Sequence, residues 1–205
     1  MDLQNLTEIF TREHLGNIFK DTSSDFKRML EVSKYLKNIR TACISQVIGE
    51  LAEQAAATYY TNLFGYEVIA AGKYDNLPDL RFTGLNIGIE CIVKKRARRI
   101  LLPGTPVEFK LTNGPTWRGG EFSDRISPHI LISYNSETMG EFFACLIPFN
   151  KSDWKSAIDK GYYGPTISWK MVRDNPETTI LFGGVSDITK TGRPTSTGTM
   201  VREKV

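Results

Sequence analysis

Residues 105–114, TPVEFKLTNG, carry Glu108 and Lys110 one strand period apart. Val107, Phe109 and Leu111 alternate with Glu108, Lys110 and Thr112. Such alternation predicts a strand whose apolar trio faces a core while the glutamate and lysine share the other face, roughly 7 Å apart. On its own this is an ordinary polar strand face with a solvated ion pair. A second acid changes its meaning. In NLPDLRF (76–82), Pro78 cannot continue a ladder, so it marks a strand's entry and leaves Asp79 at its start. Asn, Pro and Asp also suit a simple turn. Mg²⁺ takes oxygen ligands, usually one or two carboxylates plus waters and substrate phosphate. Asp79 and Glu108 can supply them if their strands are neighbours. Lys110 can then hold an attacking water or stabilise charge developing on a phosphate. The chemistry would be phosphodiester hydrolysis.

Elements must bring these residues together. The spacing predicts a short helical lead-in over 1–20. A second helix follows over 24–40, capped by Thr22, Ser23 or Ser24, with Phe26, Met29, Leu30, Val32, Leu36 and Ile39 at helical spacing. A third helix over 44–64 has its apolar stripe on Ile48, Leu51, Ala52, Ala55, Ala56, Tyr59 and Leu63, and Gly65 stops it. Glu53 flanks that stripe, where it can point to a strand edge or simply be solvated; Glu50 falls on the solvent side. The pattern then switches to period two. YEVIAA (66–71) reads as a strand. DLRFTG (79–84) and LNIGIECIV (85–93) read as a hairpin turning at Thr83-Gly84. HILISYN (129–135), EFFACLIPF (141–149) and TTILFGGV (178–185) are core strands. Ser152 can cap a short helix in SDWKSAID, TISWKMV reads as an amphipathic helix, and the Thr-, Ser-, Gly- and Arg-rich tail after Lys190 lacks the makings of a core. Helices first, then strands, then short helices with a last strand imply an α/β or α+β fold with a central mixed sheet flanked by helices. With 205 residues and 40% apolar content, one domain is expected over 1–205: a helical part to 44, a core over 45–150 and a C-terminal part over 151–205.

Together, Pro78-Asp79, Glu108-Phe109-Lys110, Gly49-x-x-x-Glu53 and Gly65-Tyr66-Glu67-Val68 resemble the PD-(D/E)xK nuclease superfamily, which includes most type II restriction endonucleases. The resemblance covers roughly residues 45–135 and rests on a short, degenerate motif. It implies a restriction-endonuclease-like fold. It further implies Asp79 and Glu108 as metal ligands helped by the Phe109 carbonyl, Lys110 as the catalytic lysine and Glu53 as an accessory carboxylate. The implied cofactor is Mg²⁺, with Mn²⁺ as a substitute, and the implied activity is sequence-specific cleavage of double-stranded DNA by a homodimer. In many members the two motif halves lie closer together; here a predicted hairpin and a basic run intervene. Glu90 in GIEC is a rival ligand, but Ile92 stands where the lysine would be.

The basic run KKRARR supplies Lys94, Lys95, Arg96, Arg98 and Arg99. A charge run is usually a solvated loop; between two active-site strands it would grip phosphates without reading sequence. The loop NGPTWRGGEFSDR (113–125) offers Asn113, Trp117, Arg118, Ser123 and Arg125 as base or phosphate contacts, although Trp117 is equally suited to packing beneath the loop. Net charge is only +3, so the local distribution carries the argument. Three scattered cysteines and two histidines exclude a zinc cluster and suggest a reduced, cytoplasmic chain; His129 reads as a core residue. No apolar run is long enough to span a bilayer, and no Gly-rich loop ending in Gly-Lys-Ser/Thr suggests an ATPase. Two alternatives keep the same residues: a structure-selective nuclease of junction-resolving or repair type, and a non-catalytic DNA-binding protein on a degenerate nuclease fold.

Overall fold

The computed structural model describes residues 3–33, 35, 41–72, 77–95, 98–113, 116–118, 127–134, 142–149 and 166–182. The chain divides into two compact units, Met1–Phe109 and Lys110–Val205.

The first unit opens with α1 (Gln4–Ile9), α2 (Arg12–Val32) and α3 (Thr41–Phe64). Helix α2 begins a full three turns before the expected start. Its cap is Thr11, whose side chain accepts from the His14 N–H at 3.2 Å. Thr22 is no cap: it is buried inside the helix and its hydroxyl donates to the Ile18 carbonyl at 2.8 Å. That back-bond satisfies the hydroxyl, so a threonine that looks like punctuation sits in the apolar stripe with Leu15, Ile18, Phe19 and Phe26. The helix stops at Val32, which is 86% exposed, and Ser33 turns extended. Helix α3 ends where expected, with Gly65 taking a φ of 71° that L-residues avoid.

Strand β1 (Val68–Ala70) follows, locked to the end of α3 by Thr61, whose hydroxyl accepts from the Val68 N–H at 2.9 Å. Strand β2 (Leu80–Phe82) lies antiparallel between β1 and β5 (Thr105–Thr112), with Ala70 opposite Leu80 on one side and Val107 opposite Leu80 on the other. The expected hairpin of 79–84 with 85–93 does not form. The chain does turn at Thr83-Gly84, but Gly88 at φ 77° and the Asn86 side chain, which accepts from the Gly88 N–H at 3.0 Å, bend residues 85–90 out of strand conformation. The hairpin instead pairs β3 (Cys91–Lys95) with β4 (Arg98–Leu102). Gly104 then admits β5: at φ 94°, with a Cβ there only 2.3 Å from the Phe82 carbonyl oxygen, no other residue fits the crossing. The core of this unit is aromatic. Phe10 meets Tyr60, Phe82 and Phe109 at ring-centroid distances of 5.3, 5.8 and 6.3 Å, and Tyr60 meets Phe82 at 5.4 Å.

In the second unit β7 (Ser127–Tyr134) and β8 (Phe142–Phe149) pair antiparallel along their whole length. Strand β10 (Thr179–Phe182) adds to β8 with a bulge between Ile180 and Phe182. Short β6 (Thr116–Arg118) pairs with β9 (Thr166–Ser168), which leads into α4 (Trp169–Asp174), capped by Ser168. Its core gathers Trp117, Leu131, Phe143, Cys145, Ile147 and Trp169. TISWKMV, expected to be wholly helical, is thus strand for its first half. Strand order is β1-β2-β5 in the first ladder and β7-β8-β10 in the second. The mixed helix-and-sheet class expected from the sequence is the one observed. Residues 151–160, with the helix expected at SDWKSAID, and everything beyond 182 lie outside the described residues.

Candidate active site

The pairing of β2 with β5 sets the geometry. One step beyond Leu80↔Val107, the antiparallel register brings Asp79 level with Glu108, and a further step brings Pro78 level with Phe109. Asp79 is fixed from two sides. Its carbonyl accepts from the Ala71 N–H at 3.0 Å, extending the β1 ladder, and its Oδ2 accepts from the Phe109 N–H at 2.8 Å. The carboxylate thus takes the hydrogen bond that the next ladder residue would have taken. That residue is Pro78. In an antiparallel pair one residue's N–H and C=O face the same neighbour, and proline has no N–H to give to the Phe109 carbonyl. The proline therefore ends the ladder one residue short and gives the Phe109 carbonyl no ladder donor.

Glu108 is 0% exposed and Asp79 is 9% exposed. Alternation puts Phe109 and Val107 on the aromatic-core face and Glu108 on the other. Lys110 is half-buried and, two residues along β5, shares the Glu108 face. Placing two acidic residues level with each other away from water costs hydration. Two carboxylates and a backbone carbonyl are also a hard-oxygen donor set of the kind Mg²⁺ accepts, so the residues fit the cation that the motif implies.

Glu53 lies on another element. Helix α3 runs antiparallel to β1, with Thr61 at Val68 and Gln54 beside Gly72, where a Cβ would lie 3.9 Å from the Gln54 amide nitrogen. Half-buried Glu53 is therefore at the Asp79 end of the sheet. Through Tyr60 the helix covers the Phe82 face, opposite to Glu108. Among the described residues no three of His, Cys, Asp and Glu gather as a metal-ligating cluster. The register brings Asp79, Glu108 and the Phe109 backbone together, and Glu53 lies on α3 at the same end of the sheet. Glu50 is exposed, as expected. Glu90 is exposed just ahead of β3, which pairs with β4 and not with β2, so the rival to Glu108 is not level with Asp79.

Of the residues expected to meet DNA, Lys94 and Lys95 lie on β3, and Arg98 and Arg99 are exposed on β4. The basic run is the distal half of a hairpin, not a loop. Arg118 is on β6, and Asn113 is half-buried just past β5. Trp117 does not offer its ring to a ligand: it is fully buried, its Nε1 donates to the Ile132 carbonyl at 2.8 Å, and its ring packs 4.5 Å from Trp169. Arg96, Ser123 and Arg125 lie outside the described residues. His129 is a buried strand residue, as read from the sequence. Burial pushes the Cys145 thiol well above its ordinary range and keeps it neutral, so it is no nucleophile. Sequence reasoning missed the pinning of Asp79 by the Phe109 N–H; the signal was available in Pro78, once the two strands are paired.

Compared with family models, curated proteins and solved structures, the chain matches none. Among the described residues no helix is long and apolar enough to cross a membrane.

Proposed function

We propose that the chain is a Mg²⁺-dependent DNA endonuclease of restriction-endonuclease-like fold, sequence-specific and acting as a homodimer on double-stranded DNA. The observation that carries this reading is the β2–β5 register, which sets Asp79 opposite Glu108 and replaces a ladder donor by Pro78 beside the Phe109 carbonyl. Asp79, Glu108 and that carbonyl would hold the cation. A bound Mg²⁺ supplies charge neutralisation at the phosphate and a more acidic water. The Phe109 N–H orients the Asp79 carboxylate, so the ligand does not have to be ordered when metal and substrate arrive. Lys110 holds positive charge on the same strand face, where it can steady the attacking water or the phosphate oxygens in the transition state. The dimer and the sequence specificity come from the superfamily resemblance; a two-fold protein suits a palindromic site.

Plasmid cleavage tests the reading. With Mg²⁺ the parent gives discrete fragments, while Asp79→Asn, Glu108→Gln and Lys110→Ala each cut about 10²–10³-fold more slowly. Equal rates for all three variants and the parent would remove the site. Random smearing, or preference for four-way junctions over linear duplex, would move the function to a structure-selective nuclease.

A further inference from the structure

The β3–β4 hairpin is a separate two-stranded ladder whose character changes along its length. At its base Cys91 is fully buried opposite Leu102. Further out, Ile100 is 37% exposed and Leu101 63% exposed, and Arg98 and Arg99 are exposed as well. Alternation puts Arg98 and Ile100 on one face and Arg99 and Leu101 on the other, so both faces of β4 meet solvent. The register then sets Lys94 opposite Arg99 and Lys95 opposite Arg98. Like charges directly opposite each other destabilise an antiparallel pair. Residues 91–102 hold five Lys or Arg and no Asp or Glu. A hairpin whose register sets two pairs of like charge opposite each other would be eased by a polyanion.

We infer that the β3–β4 ribbon is an arm that enters the major groove of duplex DNA. A B-form major groove is about 12 Å wide and about 8.5 Å deep and admits a two-stranded ribbon. Five residues per strand span about 17 Å, long enough to reach the floor while the base stays anchored. The basic rungs at the far end would meet base edges and phosphates inside the groove, with Ile100 and Leu101 nearer its rim. Double-stranded RNA, whose major groove is deep and narrow, does not admit the same ribbon. The inference takes its partner from the DNA reading above but does not depend on cleavage.

The test is binding in EDTA, where cleavage cannot contribute. Fluorescence anisotropy compares a 20-base-pair DNA duplex, one of its single strands and the matching RNA duplex across a salt series. The parent should bind duplex DNA at least about tenfold more tightly than either alternative. Arg98→Glu/Arg99→Glu should weaken duplex binding by about two powers of ten. It should flatten the slope of log affinity against log salt by about 2, close to one per lost phosphate contact. The same change turns both repelling rungs into attracting ones, so its Tm should rise by about 1–3 °C. Arg98→Ala/Arg99→Ala, with Tm unchanged, should flatten the slope by the same amount. Duplex binding and salt slope equal to the parent's in both variants overturn the arm. So does equal affinity of the parent for duplex RNA or single strand, or binding of phosphatidylserine vesicles without binding of duplex. A parent that binds duplex through Arg98 and Arg99 yet cuts no plasmid keeps the arm and loses the nuclease.

Discussion

The first unit contains two antiparallel strand pairs that treat charge in opposite ways. Between β2 and β5, two acids that would be safest in water are taken out of it, with Glu108 at 0% and Asp79 at 9% exposure. Between β3 and β4, bases that would be safest apart are set opposite one another, with Arg98 and Arg99 exposed on β4. Neither arrangement is what folding alone favours, although the Asp79 carboxylate does satisfy the Phe109 N–H. A buried carboxylate costs free energy unless it is compensated, and facing like charges weaken a ladder. On the proposed reading both costs would be relieved by one kind of visitor in complementary parts: a divalent cation for the acids and a phosphate backbone for the bases. On that reading, one segment, residues 79–110, carries both and would meet a ligand that brings phosphate and metal together.

The largest way to break that comparison is to remove the acids' visitor. Mg²⁺ or Mn²⁺ at about a hundredfold excess over its Kd should stabilise the parent by about 2.7 kcal/mol. For a chain of this size that is a Tm rise of about 5–10 °C, reversed by EDTA. Asp79→Asn and Glu108→Gln should show no such rise, while Arg98→Ala/Arg99→Ala should keep it whole. Pro78→Ala sharpens the same point. It restores an N–H level with the Phe109 carbonyl, which then becomes a ladder acceptor, and metal affinity should fall by about tenfold. A metal response that survives Asp79→Asn and Glu108→Gln would place the cation elsewhere.

A smaller effect separates holding the site from using it. Asp79→Ala leaves the buried Phe109 N–H without its 2.8 Å acceptor, which should cost about 1–3 kcal/mol in urea unfolding. Asp79→Asn keeps an oxygen there and should cost under about 1 kcal/mol. Both should lose cleavage alike. If Asn and Ala were equally unstable, the carboxylate charge and not the hydrogen bond would be holding β2 to β5.

Much of this was legible before any strand was paired, because some signals are local. Gly65 ends α3 where its freedom at positive φ is needed, and the apolar runs of β7 and β8 read as strands from their own residues. Pro78 announced the start of β2 and Glu-x-Lys announced β5. What failed were inferences that needed to know a partner. Thr22 looks like a cap until the Ile18 carbonyl is found behind it. Residues 79–93 look like a hairpin because period-two patterns adjoin, yet Asn86 and Gly88 bend the second run and hand β2 to β1 and β5. The basic run could be assigned a charge but not a shape, since only the Cys91↔Leu102 register reveals that its ends face each other. Whether Asp79 and Glu108 meet was likewise a question of non-local pairing.

The smallest predicted effect tests the openness of the ribbon itself. Leu101 is the most exposed apolar residue of β4, at 63%, and its cross-strand neighbour is Ile92. Such a pair contributes about 0.2–1 kcal/mol, and surface substitutions usually stay within about 0.5 kcal/mol. Leu101→Ala should therefore shift the urea midpoint by no more than those few tenths imply, with the m-value unchanged. A loss of about 2 kcal/mol or more would mean that Leu101 is covered in solution. A concentration-dependent Tm would then identify the cover as a second copy of the chain, and the ribbon would be an oligomer contact before it could be a DNA arm. A negligible loss, together with weaker duplex binding, would leave Leu101 with no task in the free protein and one in the complex.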